Sequence, residues 1–430
     1  MLRIWLVFLA TLAACGGNPV PTDPSKPPPL PDEPAAPVQG TVVNRFGEPV
    51  SGARVRIGTA SPVTTDAQGK FTVRAVAATY DVAAVVDDPA VPPGFPPVSR
   101  AVVYQKLTRR DPVLYLPGLV VQPGSEIHST VVQSVTTTPT SAFPLLWAFT
   151  NASRVVAVGL GTGVPGNFTW NGPAGAVNPG SLVAMLNSSS GVEASGHVLV
   201  TEGTGPLSVT VPVTAAPSLT LTGTSRPPAG CAIVIQDLVV PGSDGTMVVT
   251  SELFVNGQTG AAVAFNWSVG FTTEVPLSLR IPAICEPSSA TSLVARRLSP
   301  STTTFNLDVP APPVITNPPS GGTTSSTAPL TWTAPAGSVS VLHFDHVESN
   351  GFISGTLDLA TTSRSASVPD LTALGAKIVR GVGIRWRVEA WGGLTGIDAL
   401  ADKNGFGALL AGTGNFSQGV SESSSVAIAP

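Results

Sequence analysis

The chain has 430 residues and a formal net charge of −4, with only 11% charged residues beside 43% hydrophobic ones. A typical globular protein carries about 25% charged residues, so the Glu, Lys and Arg that solvate long helices are scarce. No basic cluster exceeds Arg109-Arg110 and Arg296-Arg297, which excludes a nucleic-acid partner, because gripping phosphates needs a concentrated positive field.

The chain opens with Met1-Leu2-Arg3, an apolar run over residues 4–12, and then Leu12-Ala13-Ala14-Cys15. A membrane span needs about 20 apolar residues, so this shorter run predicts a cleavable export signal over residues 1–14. The ending resembles the lipobox of bacterial lipoproteins, in which cleavage leaves the Cys first and lipid is added to its sulfur and amine. That resemblance implies lipidation of Cys15 and a membrane partner held through the lipid, since two or more acyl chains anchor stably where one is marginal. Gly16-Gly17 follow, with no Asp behind the Cys. Within the family this implies export to the cell envelope, and the outer membrane where the cell has one.

Residues 15–37 hold Pro19, Pro21, Pro24, Pro27, Pro28, Pro29, Pro31, Pro34 and Pro37. Such density favours extended polyproline II at about 3.1 Å per residue, a tether reaching roughly 60 Å. Beyond it, Gly and Pro number 44 and 43 in the whole chain, and Val and Thr recur. Turn formers between strand formers predict an all-β fold of tandem antiparallel β-sandwiches.

Residues 38–117 form the first expected module. Val55 and Ile57 alternate with Arg54 and Arg56, residues 66–69 read as a turn, and Phe71 and Val73 point inward. With Gly47-Glu48-Pro49 and Gly69-Lys70-Phe71, this stretch resembles the carboxypeptidase regulatory-like domain, a prealbumin-like β-sandwich. Ala78-Thr79 stands before Tyr80 where that family usually has Gly. The resemblance implies a spacer or folding aid and no peptidase activity, since neither His-x-x-Glu nor His-Glu-x-x-His occurs in the chain.

Residues 118–215 are turn-rich and strand-like; Val209, Val211 and Val213 alternate with polar residues, and Pro212 predicts an edge strand. In residues 216–310, Asn256-Gly257 is a type I′ hairpin signal between residues 247–255 and 262–271. Cys231 and Cys285, an even pair in an oxidising compartment, predict a disulfide pinning two sheets together. The Trp falls too late after the first Cys for an immunoglobulin domain. Residues 311–430 open on Pro312-Pro313-Val314-Ile315; with Leu330-Thr331-Trp332-Thr333 and Ile384-Arg385-Trp386-Arg387-Val388 they loosely resemble a fibronectin type III module. That module leaves residues 398–416 unexplained.

No nucleophile elbow, phosphate loop or dinucleotide fingerprint occurs, so the expected protein is non-catalytic, with no cofactor and no metal site. His343 and His346 lie three apart and face opposite sides of a strand; they are expected on a solvated strand face, with Asp345 within pairing reach of His343. Trp170 and Trp391 are the candidate binding aromatics. They carry the alternative function, a glycan- or cell-wall-binding protein, against the favoured scaffold or adhesion protein with a protein or glycan partner. A hydrolase is the remote third reading.

Overall fold

The computed structural model describes residues 36–44, 47–88, 97–117, 125–139, 145–151, 154–160, 166–173, 179–188, 191–201, 207–241, 247–257, 260–286, 288–325, 328–347, 353–376, 383–406, 409 and 415–429. Among them the strands form five sheets, two of them long, with 14 and 8 strands. Among the described residues helix comprises one turn at Ile397–Leu400, a 3-10 turn at Thr372–Leu374 and the helical residues Phe406 and Leu409. Among the described residues no helix is long and apolar enough to cross a membrane. The fold is all-β, built of stacked sandwiches.

In the first sandwich, Ala36–Val43 pairs antiparallel with Lys70–Val76 and parallel with Val113–Tyr115. This small sheet faces Arg54–Ile57, Tyr80–Asp88 and Val98–Leu107, and Val38, Val42, Phe71 and Leu114 meet Val55, Val82 and Tyr104 in the core. The 66–69 turn forms as expected: Asp66 Oδ1 accepts from the Gln68 and Lys70 N–H groups at 2.9 and 2.8 Å. Gly69 has a φ of 69°, and a Cβ there would lie 2.5 Å from the Val42 carbonyl. Only glycine fits that corner. Ala78 and Thr79 need no glycine, since neither adopts a positive φ.

In the last sandwich, a three-stranded sheet of Val314–Asn317, Leu330–Thr333 and Ser365–Ala366 covers a sheet containing Val339–Val347, Ile353–Thr361 and Gly383–Gly392. Trp332 and Trp386 are buried between them, and the Trp386 ring stacks on Phe344 at 6.1 Å. Gly383–Gly392 is paired along its first half by Ser424–Ala429 and along its second by Phe416–Val420.

First and last sandwiches share one sheet. Residues 355–360 pair in parallel with residues 99–104, main chain to main chain. Val98–Leu107 is therefore covered on both faces: Val102 and Tyr104 belong to one core, Ala101 and Val103 to the other. Its unbroken Ala101-Val102-Val103-Tyr104 run is the sequence of a strand with no wet face.

The same sheet continues into the middle of the chain, where residues 291–295 pair antiparallel with residues 416–420. Thr291–Arg297, Ser278–Cys285, Cys231–Pro241 and Met247–Gly257 follow in order and face the eight-stranded sheet across a core of Phe265, Trp267, Leu279 and Ile281. In that second sheet Gly270 meets Gly191 so closely that a Cβ on it would lie 1.8 Å from the Val192 carbonyl. Its far face packs Trp147, Leu145 and Leu182 against Val135 and Val211. Leu207–Pro212 is an edge strand of the small sheet there, as Pro212 requires.

Two expectations change. Met247–Gly257 pairs with Cys231–Pro241, and Val263–Gly270 pairs with Ser218–Arg226 in the opposite sheet, so Asn256-Gly257 closes no two-strand ladder between them. Leu253 and Val255 pack instead against the core that contains Phe265 and Trp267. The Cys231–Cys285 disulfide does form, but between adjacent strands of one sheet, where the two residues are register partners.

Candidate functional site

Alternation along Val339–Val347 sends Val339 and Val341 into the first core, then places His343 and Asp345 on the same face. The neighbouring strands bring Asp358 on one side and Arg387 on the other into register with His343. His343 Nδ1 lies 2.6 Å from Asp358 Oδ1, and Nε2 lies 3.0 Å from Glu389 Oε1. Gln418 Nε2 donates to Glu389 Oε2 at 3.1 Å, and Arg387 stands 3.4 Å from Oε1. The His343, Asp358 and Glu389 side chains are 17%, 8% and 10% exposed.

Burial alone pulls the His343 pKa down, but Asp358 and Glu389 override it and raise it to about 10. Burial pushes the Glu389 carboxyl up, and His343, Arg387 and Gln418 bring it down to about 2. A general acid or base works best with a pKa near the operating pH. His343 and Glu389 are driven away from neutrality in opposite directions, so this cluster is an ion-paired fastening between strands.

The expected solvated strand face is thus corrected: His343 is part-buried in an ion cluster, and Asp345 pairs with Arg385 at 2.8 Å instead of with His343. His343 and His346 do face opposite sides; His346 is buried, with Nδ1 2.6 Å from Ser354 Oγ. Trp391 is also corrected. It lies on the face opposite Trp386, but that face is covered as well, and Trp391 is 2% exposed, packed against Phe406 and Phe416. It offers no binding surface. Trp170 sits on Gly166–Pro173 opposite His128, and its side chain lies outside what is described. Cys15, the signal over 1–14 and the tether up to residue 35 lie outside the described residues.

Phe406 and Phe416, from the stretch the fibronectin-like module leaves unexplained, cover Trp391. Ile397, Leu400, Ala401, Phe406 and Leu409 add to the first core. Asp398 accepts from the Thr108 and Arg109 N–H groups at 2.9 and 3.1 Å and from the Thr108 hydroxyl. Arg109 also pairs with Asp402 at 3.0 Å, and the Val113 N–H donates to the Ala401 carbonyl at 2.7 Å. Burial raises the Asp398 pKa and these donors lower it further, for a net fall. This insertion clamps the last sandwich onto the first.

A cleft of about 740 Å³ opens where residues 271–277, the end of Thr291–Arg297, Thr304–Asp308 and Asn415 come together. Arg296, Arg297, Thr302, Thr304 and Asn306 are among its lining, and among the described residues no carboxylate is. Arg296 Nη1 donates to the Ala295 and Phe416 carbonyls at 2.8 and 3.1 Å. Lost hydration lowers the Arg296 pKa from its ordinary value. Sequence reasoning weighed the Arg296-Arg297 doublet only as a phosphate patch and so passed over it. For the ion cluster the missed signal was Asp358, a charge set between Leu357 and Leu359.

No protein-family model matches the chain, and no curated protein matches it. Among solved structures, BcpA, the major pilin subunit of Bacillus cereus, is similar at 10% identity and a TM-score of 0.14, covering 64% of this chain and 98% of that one. A streptococcal ancillary pilin is similar at 7% identity and a TM-score of 0.17, covering 63% and 98%. At such scores the likeness carries no argument about what this chain does.

Proposed function

We propose that this chain is an exported, lipid-anchored protein of the cell envelope whose fused β-sandwiches act as a non-catalytic scaffold or adhesion-type structure. The observation that carries the scaffold reading is the shared sheet: residues 99–104 with 355–360, and 291–295 with 416–420, join chain segments by backbone ladders. Separating the modules breaks several backbone hydrogen bonds at once and exposes two cores, which suits a body that must keep its shape outside the cell. The prealbumin-like and fibronectin type III-like resemblances of residues 38–117 and 311–430 fit this spacer role.

Cys15 and its lipobox support the anchor, and the Pro-rich residues behind it hold the sandwiches away from the lipid. The test is metabolic labelling with palmitate together with membrane fractionation. The natural protein is expected to label and to sediment with membranes, in the outer membrane of a two-membrane cell. A Cys15→Ala variant is expected to lose the label and enter the soluble fraction. Equal membrane partitioning of the two would overturn the anchor.

A further inference from the structure

We propose that residues 251–254 of the edge strand Met247–Gly257 dock an extended segment of a partner protein, one that sets a Lys or Arg beside Glu252 and an apolar residue beside Phe254. This goes beyond the scaffold reading and does not depend on the lipid anchor. Met247–Gly257 ends the 14-stranded sheet: it pairs with Cys231–Pro241 on one side and, among the described residues, with no strand on the other. Such an edge is a template for another chain, and proteins blunt it with Lys, Pro, bulges or short length. This strand is 11 residues long and holds neither Lys nor Pro. Its ends are blunted by other means. The register shifts at Leu238/Val239, which leaves Thr250 as an extra residue whose carbonyl accepts from Asn187 Nδ2 at 2.8 Å. It shifts again at Ile233/Ile235, opposite Phe254 and Gly257. Between the two shifts, residues 251–254 run in unbroken register and stay open.

Alternation turns Leu253 and Val255 toward the middle core and leaves Glu252 and Phe254 on the outer face, both exposed, Phe254 by 74%. Register carries both rows back across the sheet: Glu252 is followed by Asp237 and then Arg280, and Phe254 by half-buried Ile235. Ile284, 50% exposed, lies on the same face. Toward the open edge the charged row reads plus, minus, minus. Asp237 Oδ1 is buried and has no hydrogen-bond partner among the described residues. Burial raises the Asp237 pKa, Arg280 draws it back and Glu252 raises it again, for a net rise. An added strand sets one of its residues opposite Glu252, and a cation there completes the row, because opposite charges across a ladder stabilise and like charges destabilise. In the next row a β-branched or aromatic side chain covers Phe254. Strand addition of this kind draws affinity from main-chain hydrogen bonds and specificity from alternate side chains. A second copy suits the edge less well. Two-fold pairing confined to residues 251–254 brings Glu252 opposite or diagonal to the Glu252 of the other copy, a like-charge contact.

The experiment is isothermal titration of the full-length protein in detergent with capped strand peptides that alternate Lys and Val along one face and carry Thr along the other. Comparison peptides replace Lys by Glu, or Val by Ser. The Lys–Val peptide is expected to bind about tenfold more tightly than either, the swing that one charge pair and one apolar pair supply. Its binding is expected to weaken as salt rises and to slow hydrogen exchange over residues 251–254. Glu252→Lys is expected to reverse the preference in favour of the Glu peptide. Phe254→Thr, a change at an exposed position, is expected to cost severalfold with an unchanged melting temperature, and it decides the matter if Glu252→Lys misfolds. No binding across the panel, equal binding of the Lys and Glu peptides, or unaltered affinity in the folded variants overturns the proposal. So does a dimer, seen by light scattering, that Phe254→Thr abolishes, since that result gives the edge to a second copy. Palmitate labelling of the same samples keeps a failure here separate from a failure of the anchor.

Discussion

At His343, a single proton ties three strands together. Its folded pKa, about 10, lies above the ordinary 6.5, so its stabilisation is fully present below pH 6.5 and is lost as pH climbs toward 10. Glu389 is depressed from 4.5 to about 2, so its share is present above 4.5 and is lost as pH falls toward 2. Both contributions are whole between those ordinary values. We expect thermal stability to decline from pH 6.5 to 10, and a His343→Gln variant to lack most of that decline. Parallel melting curves for the two proteins over that range would remove the cluster from the stability account. Asp358→Asn, which breaks a largely buried pair, is expected to destabilise by about 3 kcal/mol. Trp391→Ala should cost about 3–5 kcal/mol by chemical denaturation, as for a large buried aromatic; a loss under 1 kcal/mol would mean that the side chain lies in water.

Among elements, the insertion over 398–416 and the Cys231–Cys285 crosslink each fasten parts that lie far apart in the chain. Asp398→Ala removes three acceptor contacts to Thr108 and Arg109 and is expected to cost about 1–3 kcal/mol. Hydrogen exchange should quicken at the Thr108, Arg109 and Val113 amides, and unchanged protection there would show that the clamp holds without it. The disulfide closes a sequence separation of 54 residues, for which the chain-entropy model gives about 4 kcal/mol. A Cys231→Ser/Cys285→Ser double variant should lose stability of that order by urea titration, while the parent shifts equally on reduction. The Asn256-Gly257 turn illustrates how an element-level signal is outranked. The dipeptide permits a tight hairpin, but Met247–Gly257 pairs with Cys231–Pro241 and Val263–Gly270 with Ser218–Arg226 in the opposite sheet, and both sides feed one core.

Over the whole molecule, the shared sheet predicts coupled unfolding. Val98–Leu107 belongs to two cores at once, so the first and last sandwiches are expected to melt in one calorimetric transition. A chain ending before residue 311 would leave Ala101 and Val103 uncovered and should be less stable and prone to associate through the opened strand edge. Two well-separated transitions for these sandwiches in the intact protein would contradict the coupling.

The sequence by itself determined that the chain is β throughout, that 66–69 turns, that Trp332 and Trp386 are core and that Cys231 bonds Cys285. Alternation, turn chemistry and cysteine parity are local properties, and each acts within a strand or a loop. Only the tertiary structure decided that Trp391 is buried, that His343 is ion-paired and that Arg296 borders a cleft. Each of those depends on which strand lies beside another at a separation of tens to hundreds of residues, and backbone ladders of the kind joining residues 99–104 to 355–360 leave no periodicity to read. A strand's own pattern tells how many of its faces are dry. It does not tell which distant segment dries them.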